Sequence, residues 1–235
     1  MTVQEIMTEL ESYGNPGIKK ILLKHGVKEP FFGVKVEHLK IIQKKIKKDY
    51  ALALELYATK NADAMYLAGL IADDEKMTKE DLQSWVKGAT SINISEYTVP
   101  WVAAGGHYGL ELALEWIDSN EDHIAATGWC TLSGLVALKP DNTLDLKLFE
   151  NLLTRVENKI HTSKNRECHT MNGFVIALGT YVEPLTENAK ASANKIGIVT
   201  VDMNGTACKV PNAIDYIKKV TDKGLIGKKR KMIKC

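Results

Sequence analysis

Apolar residues recur along the chain with the three- to four-residue spacing of α-helices, and short polar stretches rich in Gly, Pro, Asn or Asp interrupt that spacing. Thr2 and Thr78 each stand three residues ahead of an acidic residue, which is the arrangement of an N-terminal capping box. Pro100 lies inside one helical pattern, so we expect that helix to kink or to begin late. The spacing predicts helices at 18–25, 36–48, 50–60, 62–73, 92–104, 109–118, 121–138, 145–160, 165–181, 185–196 and 212–222.

Strand patterns are almost absent, and the one stretch rich in β-branched residues, Ile198–Val201, is too isolated to form a sheet. About a dozen helices joined by short turns fit either a bundle or a solenoid of helix pairs. A spacing of roughly 35–45 residues per pair favours the solenoid. We therefore predict an all-α fold, an α-α superhelix of HEAT-like repeats, with one domain over 1–223 and a basic, flexible C-terminal tail over 224–235. A partner is then expected on the concave surface.

The composition is that of a globular protein, since 45% of the 235 residues are apolar and 26% are charged. No run of about 18 apolar residues is present, and the N-terminus shows no apolar signal-peptide segment, so we expect a cytoplasmic location without membrane contact. The four cysteines lie far apart, which predicts reduced thiols rather than a zinc site. We expect neither a metal nor a cofactor.

The net charge is only +2, but two segments are strongly basic. Lys35–Lys48 contains six lysines and one glutamate, and Lys218–Cys235 contains seven lysines and one arginine against one aspartate. Clustered cations of this kind are typical of proteins that bind nucleic-acid phosphates. In the first segment most lysines also lie opposite an apolar stripe, so solvation of a helix face explains them equally well. Charge alone leaves both interpretations open.

Glycine-rich loops for nucleotide phosphates are missing, and so are the motifs of zinc and serine hydrolases. Three polar clusters remain as candidates for chemistry. In the first, Glu96 lies close in sequence to Tyr97 and Trp101. A carboxylate desolvated by aromatic rings can act as a base or stabilise a cation. A solvated glutamate beside core aromatics is the alternative.

The second cluster places Arg166, His169 and Gly173 on one helical face, with Asn172 beside them. Such a face suits recognition of phosphate or of a base, and hydrogen bonding between helices is the alternative. The third cluster, Asp202–Pro211, contains a turn whose backbone N–H groups can bind an anion, although such loops more often only join helices.

Taken together and in order, six motifs make the sequence similar to the AlkD-like DNA alkylation repair family, which is built from HEAT-like repeats. The motifs are Pro30–Val34, Thr98–Val102, Ile124–Cys130, Met171–Ile176, Asp202–Pro211 and Gly227–Lys231. The resemblance runs from about Pro16 to the C-terminus. It implies a C-shaped solenoid whose basic concave face binds DNA, and an N-glycosylase that excises N3- or N7-alkylated purines without a metal. A carboxylate and aromatic faces would stabilise the sugar cation.

The resemblance also implies roles for individual residues. It places the catalytic carboxylate of these glycosylases on Glu96. Their two catalytic tryptophans fall near Ile92, which has no aromatic ring, and near Phe174, which keeps one, and their DNA-contacting arginine falls near Gly128. The expected pocket for lesion and sugar contains Trp101, Trp129, Phe174, His169 and Asn172.

The predicted contacts to the DNA backbone are Lys35, Lys44, Lys45, Lys48, Lys164, Arg166, Lys228, Lys229, Arg230 and Lys231. The expected partner is double-stranded DNA, alkylated or structurally altered, bound by a monomer. Two alternatives stay open. One is a non-catalytic binder of damaged or branched DNA, or of RNA, and the other is a HEAT scaffold that binds proteins.

Overall fold

Thirteen α-helices and no β-strand make up the chain, all of whose residues, 1–235, are described by a computed structural model. The helices are α1 (Val3–Ser12), α2 (Pro16–Lys24), α3 (Val36–Ile46), α4 (Tyr50–Ala58), α5 (Ala62–Ile71), α6 (Lys79–Gly88), α7 (Val99–Gly105), α8 (Gly109–Trp116), α9 (Asp122–Leu138), α10 (Leu146–Lys159), α11 (Asn165–Tyr181), α12 (Thr186–Ile196) and α13 (Ala213–Asp222). None of them is both long and apolar enough to cross a membrane.

Side-chain caps set several helix starts. At α1 the Thr2 hydroxyl accepts from the N–H of Glu5, and the Glu5 carboxylate accepts from the N–H of Thr2, so the predicted capping box is confirmed. The box predicted at Thr78 is confirmed in the same way at the start of α6. Helix α3 ends earlier than predicted because Lys47 adopts a φ of 67°, which no α-helix contains.

The helices from α4 onward form five pairs: α4 with α5, α6 with α7, α8 with α9, α10 with α11, and α12 with α13. The second helices of successive pairs pack side by side, so α5, α7, α9, α11 and α13 form one continuous inner layer. The first helices form an outer layer, and α1–α3 cap the N-terminal end. This arrangement confirms the predicted all-α, HEAT-like solenoid. Counted from the start of one pair to the start of the next, the first two pairs are shorter than the predicted 35 residues or so.

A single π-helical segment, Ile94–Thr98, precedes α7 and carries Glu96. Its cause is Pro100, which has no N–H to offer the Glu96 carbonyl and whose ring would collide with that carbonyl in a regular helix. The N–H of Val99 instead reaches back to Ile94, which widens the turn. Gly69 of α5 lets this wider turn approach, because a Cβ there would lie 2.5 Å from Thr98. The prediction that Pro100 disturbs its helix is thereby confirmed.

The C-terminal residues 227–235, here named the strap, cross the inner layer, whereas the sequence predicted a flexible basic tail over 224–235. The strap runs over the C-terminal ends of α11, α9 and α5, whose last carbonyls have no partner within their own helices. Four strap donors bond these carbonyls: Gly227 N to Thr180 O at 2.9 Å, Lys229 Nζ to Val136 O at 2.8 Å, Arg230 N to Ala137 O at 2.8 Å and Lys234 Nζ to Ala72 O at 3.1 Å. The expectation of a flexible tail is therefore wrong for these residues.

Candidate nucleic-acid interface

Three cavities follow one another along the inner layer. The first, the basic cleft, has a volume of about 840 Å³ and lies between the end of α3 and the strap. The second, the aromatic cavity of about 500 Å³, lies over the middle of α7, α9 and α11. The third, the loop cavity of about 410 Å³, lies beneath the loop that joins α12 to α13. Trp101 borders the first two and Glu96 the last two, so the three form one continuous surface, which we call the inner face.

The basic cleft brings together cations from both basic segments of the sequence. Its lining includes two carboxylates, Asp74 and Glu75, and seven cationic side chains: Lys44, Lys47, Lys48, Lys139, Arg230, Lys231 and Lys234. Only some of these cations have a carboxylate partner. Because the remaining charges lie close together without compensation, the cleft attracts anions.

Aromatic rings dominate the second cavity. Tyr66 and Tyr97 both meet the Trp101 ring edge-on, with ring centroids 5.3 Å and 5.8 Å away. Tyr181 adds a fourth ring, and the guanidinium of Arg230 lies 5.6 Å from its centroid. Rings in such a cavity offer faces and edges on which a nucleobase can stack.

Glu96, Arg166 and His169 form one hydrogen-bonded cluster at the boundary of the aromatic and loop cavities. Arg166 donates from Nε to Glu96 Oε1 at 2.6 Å and from Nη2 to Glu96 Oε2 at 2.7 Å. Its Nη2 also lies 3.1 Å from Nδ1 of His169. Since a guanidinium only donates, Nδ1 must accept and the histidine is neutral. Two polar clusters predicted from the sequence, that of Glu96 and that of Arg166 with His169, are thus in direct contact.

Burial and charge pull in opposite directions on this cluster. Burial raises the pKa of Glu96, and the hydrogen bonds and charge of Arg166 oppose that rise. Burial alone would lower the pKa of Arg166, but Glu96 outweighs it and the pKa is raised. Burial and the charge of Arg166 lower the pKa of His169 to about 4. Because arginine keeps its proton and both contacts have charge-assisted lengths, the pair is ionised at neutral pH.

Three of the five residues predicted for the lesion pocket do not reach it. Trp129 and Phe174 are 0% exposed and pack against each other in the core, with ring centroids 5.2 Å apart. Asn172 is also buried, and its amide donates to the Pro211 carbonyl at 2.9 Å. The predicted pocket roles of these three side chains are therefore wrong. Trp101 and His169 do line the aromatic cavity, and their role stays a prediction.

Of the other two positions compared with the glycosylases, Gly128 lies away from the inner face, and Ile92 borders the loop cavity but has no aromatic ring. A Cβ on Gly128 would come within 2.7 Å of Ile117 and 2.8 Å of its backbone nitrogen, so this position is packed against the outer layer. No side chain there could reach DNA on the inner face. Ile92 instead packs on Gly26, filling the space that a Cβ would need.

The predicted contacts to the DNA backbone separate into two groups. Lys44, Lys48, Arg230 and Lys231 line the basic cleft, as an inner-face DNA site requires. The other six do not line it, and five of those have partners within the protein. Those partners are Glu37 for Lys35, Glu9 for Lys45, the Asn120 carbonyl for Lys164, Glu96 for Arg166, and Asp141 with the Val136 carbonyl for Lys229. Lys228 is exposed outside the cleft.

The prediction that Arg166 holds phosphates is corrected by the same geometry. Two of its nitrogens are taken by Glu96, and Nη1 points at the sulfur of Met203 at 3.8 Å. Lys35, Lys45 and Lys164 are similarly engaged within the protein, so they are poor candidates for a shared DNA site. Lys229 serves as an anchor of the strap.

Several residues of the inner face were missed from the sequence. Tyr66, Tyr181 and Lys139 lie on three different helices or their ends, and none stands near a recognisable motif. Only the alignment of α5, α9 and α11 in one layer brings them together. The third polar cluster, Asp202–Pro211, forms the loop over the third cavity, and Asn165 holds it through bonds to both backbone groups of Asp202.

Comparison with known proteins agrees with this architecture. Residues 6–168 match the DNA alkylation repair enzyme family. Protein Lmo0209 of Listeria monocytogenes and protein Lin0241 of Listeria innocua are each 31% identical over 228 residues, covering 95% of this chain and 99% of each relative. A solved structure with a TM-score of 0.92 and 36% identity covers 100% of both chains; it is described as a new family of proteins related to the HEAT-like repeat DNA glycosylases with affinity for branched DNA structures. The resemblance seen in the motifs is confirmed, and the chain belongs to the DNA alkylation repair enzyme family.

Proposed function

We propose that this protein binds DNA on its inner face, with a preference for branched DNA, and does not excise bases. The proposal that the protein does not excise bases rests on the ion pair between Glu96 and Arg166. The two Glu96 oxygens accept from Arg166 at 2.6 Å and 2.7 Å, so the charge of Glu96 is compensated before any substrate arrives. A carboxylate in this state offers little additional stabilisation to a sugar cation.

The aromatic groups point the same way. Stabilisation of a cationic lesion needs ring faces beside the carboxylate, and cation–π contacts contribute about 0.5–2 kcal/mol each. Ile92 has no ring, and the ring of Phe174 is enclosed in the core. The rings that remain accessible, above all Tyr97, suit stacking on an unpaired or splayed base.

Support for DNA as the partner comes from charge and from the structural neighbour. Two basic segments far apart in the sequence meet in the basic cleft, next to the aromatic cavity. The neighbour that covers the whole chain belongs to proteins with affinity for branched DNA structures. A branch point offers both converging phosphate backbones and unstacked bases, which match a cationic cleft beside aromatic rings. Alkylated duplex DNA, a monomeric state and a cytoplasmic location stay predictions.

The experiment that tests this proposal measures base release and binding on the same methylated DNA. At protein concentrations that saturate the DNA, we expect no 7-methylguanine release above that of a Glu96→Gln variant, together with salt-sensitive binding. Release that disappears with Glu96→Gln would establish excision and overturn the proposal.

A second titration separates the remaining partners. We expect a four-way junction to be bound more tightly than a linear duplex with the same number of base pairs. Equal affinity for the two would remove the preference for branches. Tighter binding to an RNA hairpin would favour RNA, and absence of any nucleic-acid binding at low salt would favour a protein-binding scaffold.

A further inference from the structure

The strap forms one wall of the basic cleft, and α3 forms the other. Lys44, Lys47 and Lys48 come from the end of α3, while Arg230, Lys231 and Lys234 come from the strap. Lys139, just beyond α9, also lines the cleft. The cleft is therefore assembled from parts of the chain about 180 residues apart, and it exists only while the strap is docked.

The strap is held in place by contacts other than the unpaired cations of the cleft. Lys234 forms an ion pair with Asp74 at 2.6 Å, and both side chains are largely buried. Ile233 packs against both halves of the core and fits over Gly134, where a Cβ would lie 2.7 Å from its Cδ1. Together with the four bonds to helix carbonyls, these contacts hold the strap in a fixed position.

The remaining cations of the cleft have no interaction partner within the protein. Lys44, Lys47, Lys139 and Lys231 make no ion pair and no side-chain hydrogen bond in the structure. Crowding of like charges opposes folding unless an anion compensates them. Lys47 also holds a left-handed φ of 67°, a backbone conformation that costs a side-chain-bearing residue roughly 1–3 kcal/mol. Uncompensated charge and local strain at one place are typical of a binding site.

We propose that the basic cleft is a composite binding site for a DNA phosphodiester backbone, complete only when the strap is docked across the inner layer. This inference rests on the proposed function and adds the part of the chain that completes its site. The strap acts as a structural half of the site and not as a lid over it. A lid would predict the opposite sign, because its removal would expose the aromatic cavity and strengthen DNA binding.

The test uses a double variant, Asp74→Ala with Ile233→Ser, which removes two anchors and leaves every cleft cation in the chain. It makes the protein more positive by one charge, so simple electrostatics predicts tighter DNA binding. Our proposal predicts weaker binding to a four-way junction, by about tenfold or more near 0.1 M salt, and a salt dependence reduced by about two to three phosphate contacts. Faster tryptic cleavage after Lys228–Lys231 would verify that the strap is released.

The matched control is Glu75→Ala. Glu75 lines the same cleft and carries the same charge as Asp74, but it contacts His107 and not the strap. This control should bind DNA as tightly as the wild type or slightly more tightly, with its strap still protected from trypsin. Binding by the double variant that equals or exceeds this control, with a released strap, would overturn the proposal.

A second variant tests the proposal independently in case the double variant does not fold. A chain that ends after Ile226 keeps α13 and lacks the whole strap, and it should lose at least as much affinity and salt dependence. Tighter binding by this shortened chain would identify the strap as a lid. Unchanged wild-type affinity after Lys44→Gln with Lys47→Gln would instead disprove the DNA interface itself, and the proposed function with it.

Discussion

The Glu96–Arg166 ion pair ties together two inner helices that are not neighbours. Glu96 precedes α7 and Arg166 lies in the first turn of α11, so the pair spans the intervening helix α9. Buried ion pairs add little net stability over apolar packing, but loss of one partner leaves a buried charge without compensation. The pair therefore acts as a geometric link that keeps the layer in register, and it is the observation on which our proposal of a non-catalytic Glu96 rests.

A pH dependence follows from His169 beside this pair. Its pKa is lowered to about 4 in the folded protein by burial and by Arg166. As the pH falls from about 6.5 to 4, the unfolded chain takes up this proton and the folded chain does not, so folding stability decreases across that window. We expect His169→Gln to remove roughly 2 kcal/mol of this acid destabilisation, measured by urea unfolding at pH 7 and at pH 4.5.

The control for that measurement is His107→Gln, which changes an exposed histidine that is not part of the cluster. This variant should keep the acid sensitivity of the wild type. Equal changes of stability with pH in the wild type and in His169→Gln would contradict the neutral state of the half-buried His169.

Lys47 provides a prediction in which stability and binding move in opposite directions. Glycine adopts its φ of 67° without strain, so Lys47→Gly should raise the free energy of unfolding by about 1 kcal/mol. The same change removes one cleft cation and should weaken DNA binding a few-fold, lowering the salt dependence by about one contact. Lys60→Gly, at the comparable φ of 58° outside the cleft, is the control and should leave DNA affinity unchanged. Tighter DNA binding by Lys47→Gly would exclude Lys47 from the site.

Some single residues were accessible from the sequence and others were not. Glu96 was found because a carboxylate near Trp101 and Pro100 is a local pattern. Its partner Arg166 lies 70 positions away, and no periodicity connects the two. Trp129 was expected in the pocket because the resemblance places it beside Gly128, the position of the glycosylases' arginine, but its helix α9 turns that side chain into the core. Helical spacing alone cannot predict which of two apolar faces of a helix lines the inner face and which packs into the core.

At the scale of elements, the segment Pro30–Val34 shows how a motif of the family fixes a helix. The Asp63 carboxylate, buried at the start of α5, accepts N–H groups from three successive residues: Phe32 at 2.7 Å, Gly33 at 3.0 Å and Val34 at 3.3 Å. These bonds hold the chain immediately before α3. The direction of α3, and with it the position of its cations in the cleft, depends on this one carboxylate.

We expect Asp63→Ala to lower the free energy of unfolding by roughly 3 kcal/mol, since three N–H groups, one half-buried and two buried, lose their acceptor. Amide hydrogen exchange should accelerate over residues 30–46. Asp49→Ala removes a cap with a single bond, to Leu52, and should cost only about 1 kcal/mol. Asp63→Ala that is no less stable than Asp49→Ala would contradict the anchoring role.

The elements themselves were largely predictable, because caps and breaks are local. The bounds of α9 and α11 differ from prediction by no more than one residue, and both capping boxes were correct. The strap was not predictable, because its polar and basic residues resemble a solvated tail. Its order arises from orphan carbonyls on three helices and from Asp74, none of which is near it in sequence.

At the scale of the whole molecule, positive charge is concentrated in the basic cleft of the inner face. The near-neutral total hides a cluster of seven cations with two carboxylates, set next to four aromatic rings. A solenoid can place these groups together because its successive inner helices each contribute residues to one shared surface. Binding of a long polyanion over this surface is the central claim of our account.

The most direct test compares lysines of the inner face with lysines of the outer layer. Affinity for a four-way junction should be measured by fluorescence anisotropy over a range of salt for two triple variants. The inner variant changes Lys44, Lys47 and Lys48 to Gln, and the outer variant changes Lys87, Lys147 and Lys159 to Gln. We predict at least about tenfold weaker binding and a salt dependence lower by two to three contacts for the inner variant, and near wild-type values for the outer one. Equal losses in both variants, or no loss in the inner one, would contradict DNA binding on the inner face.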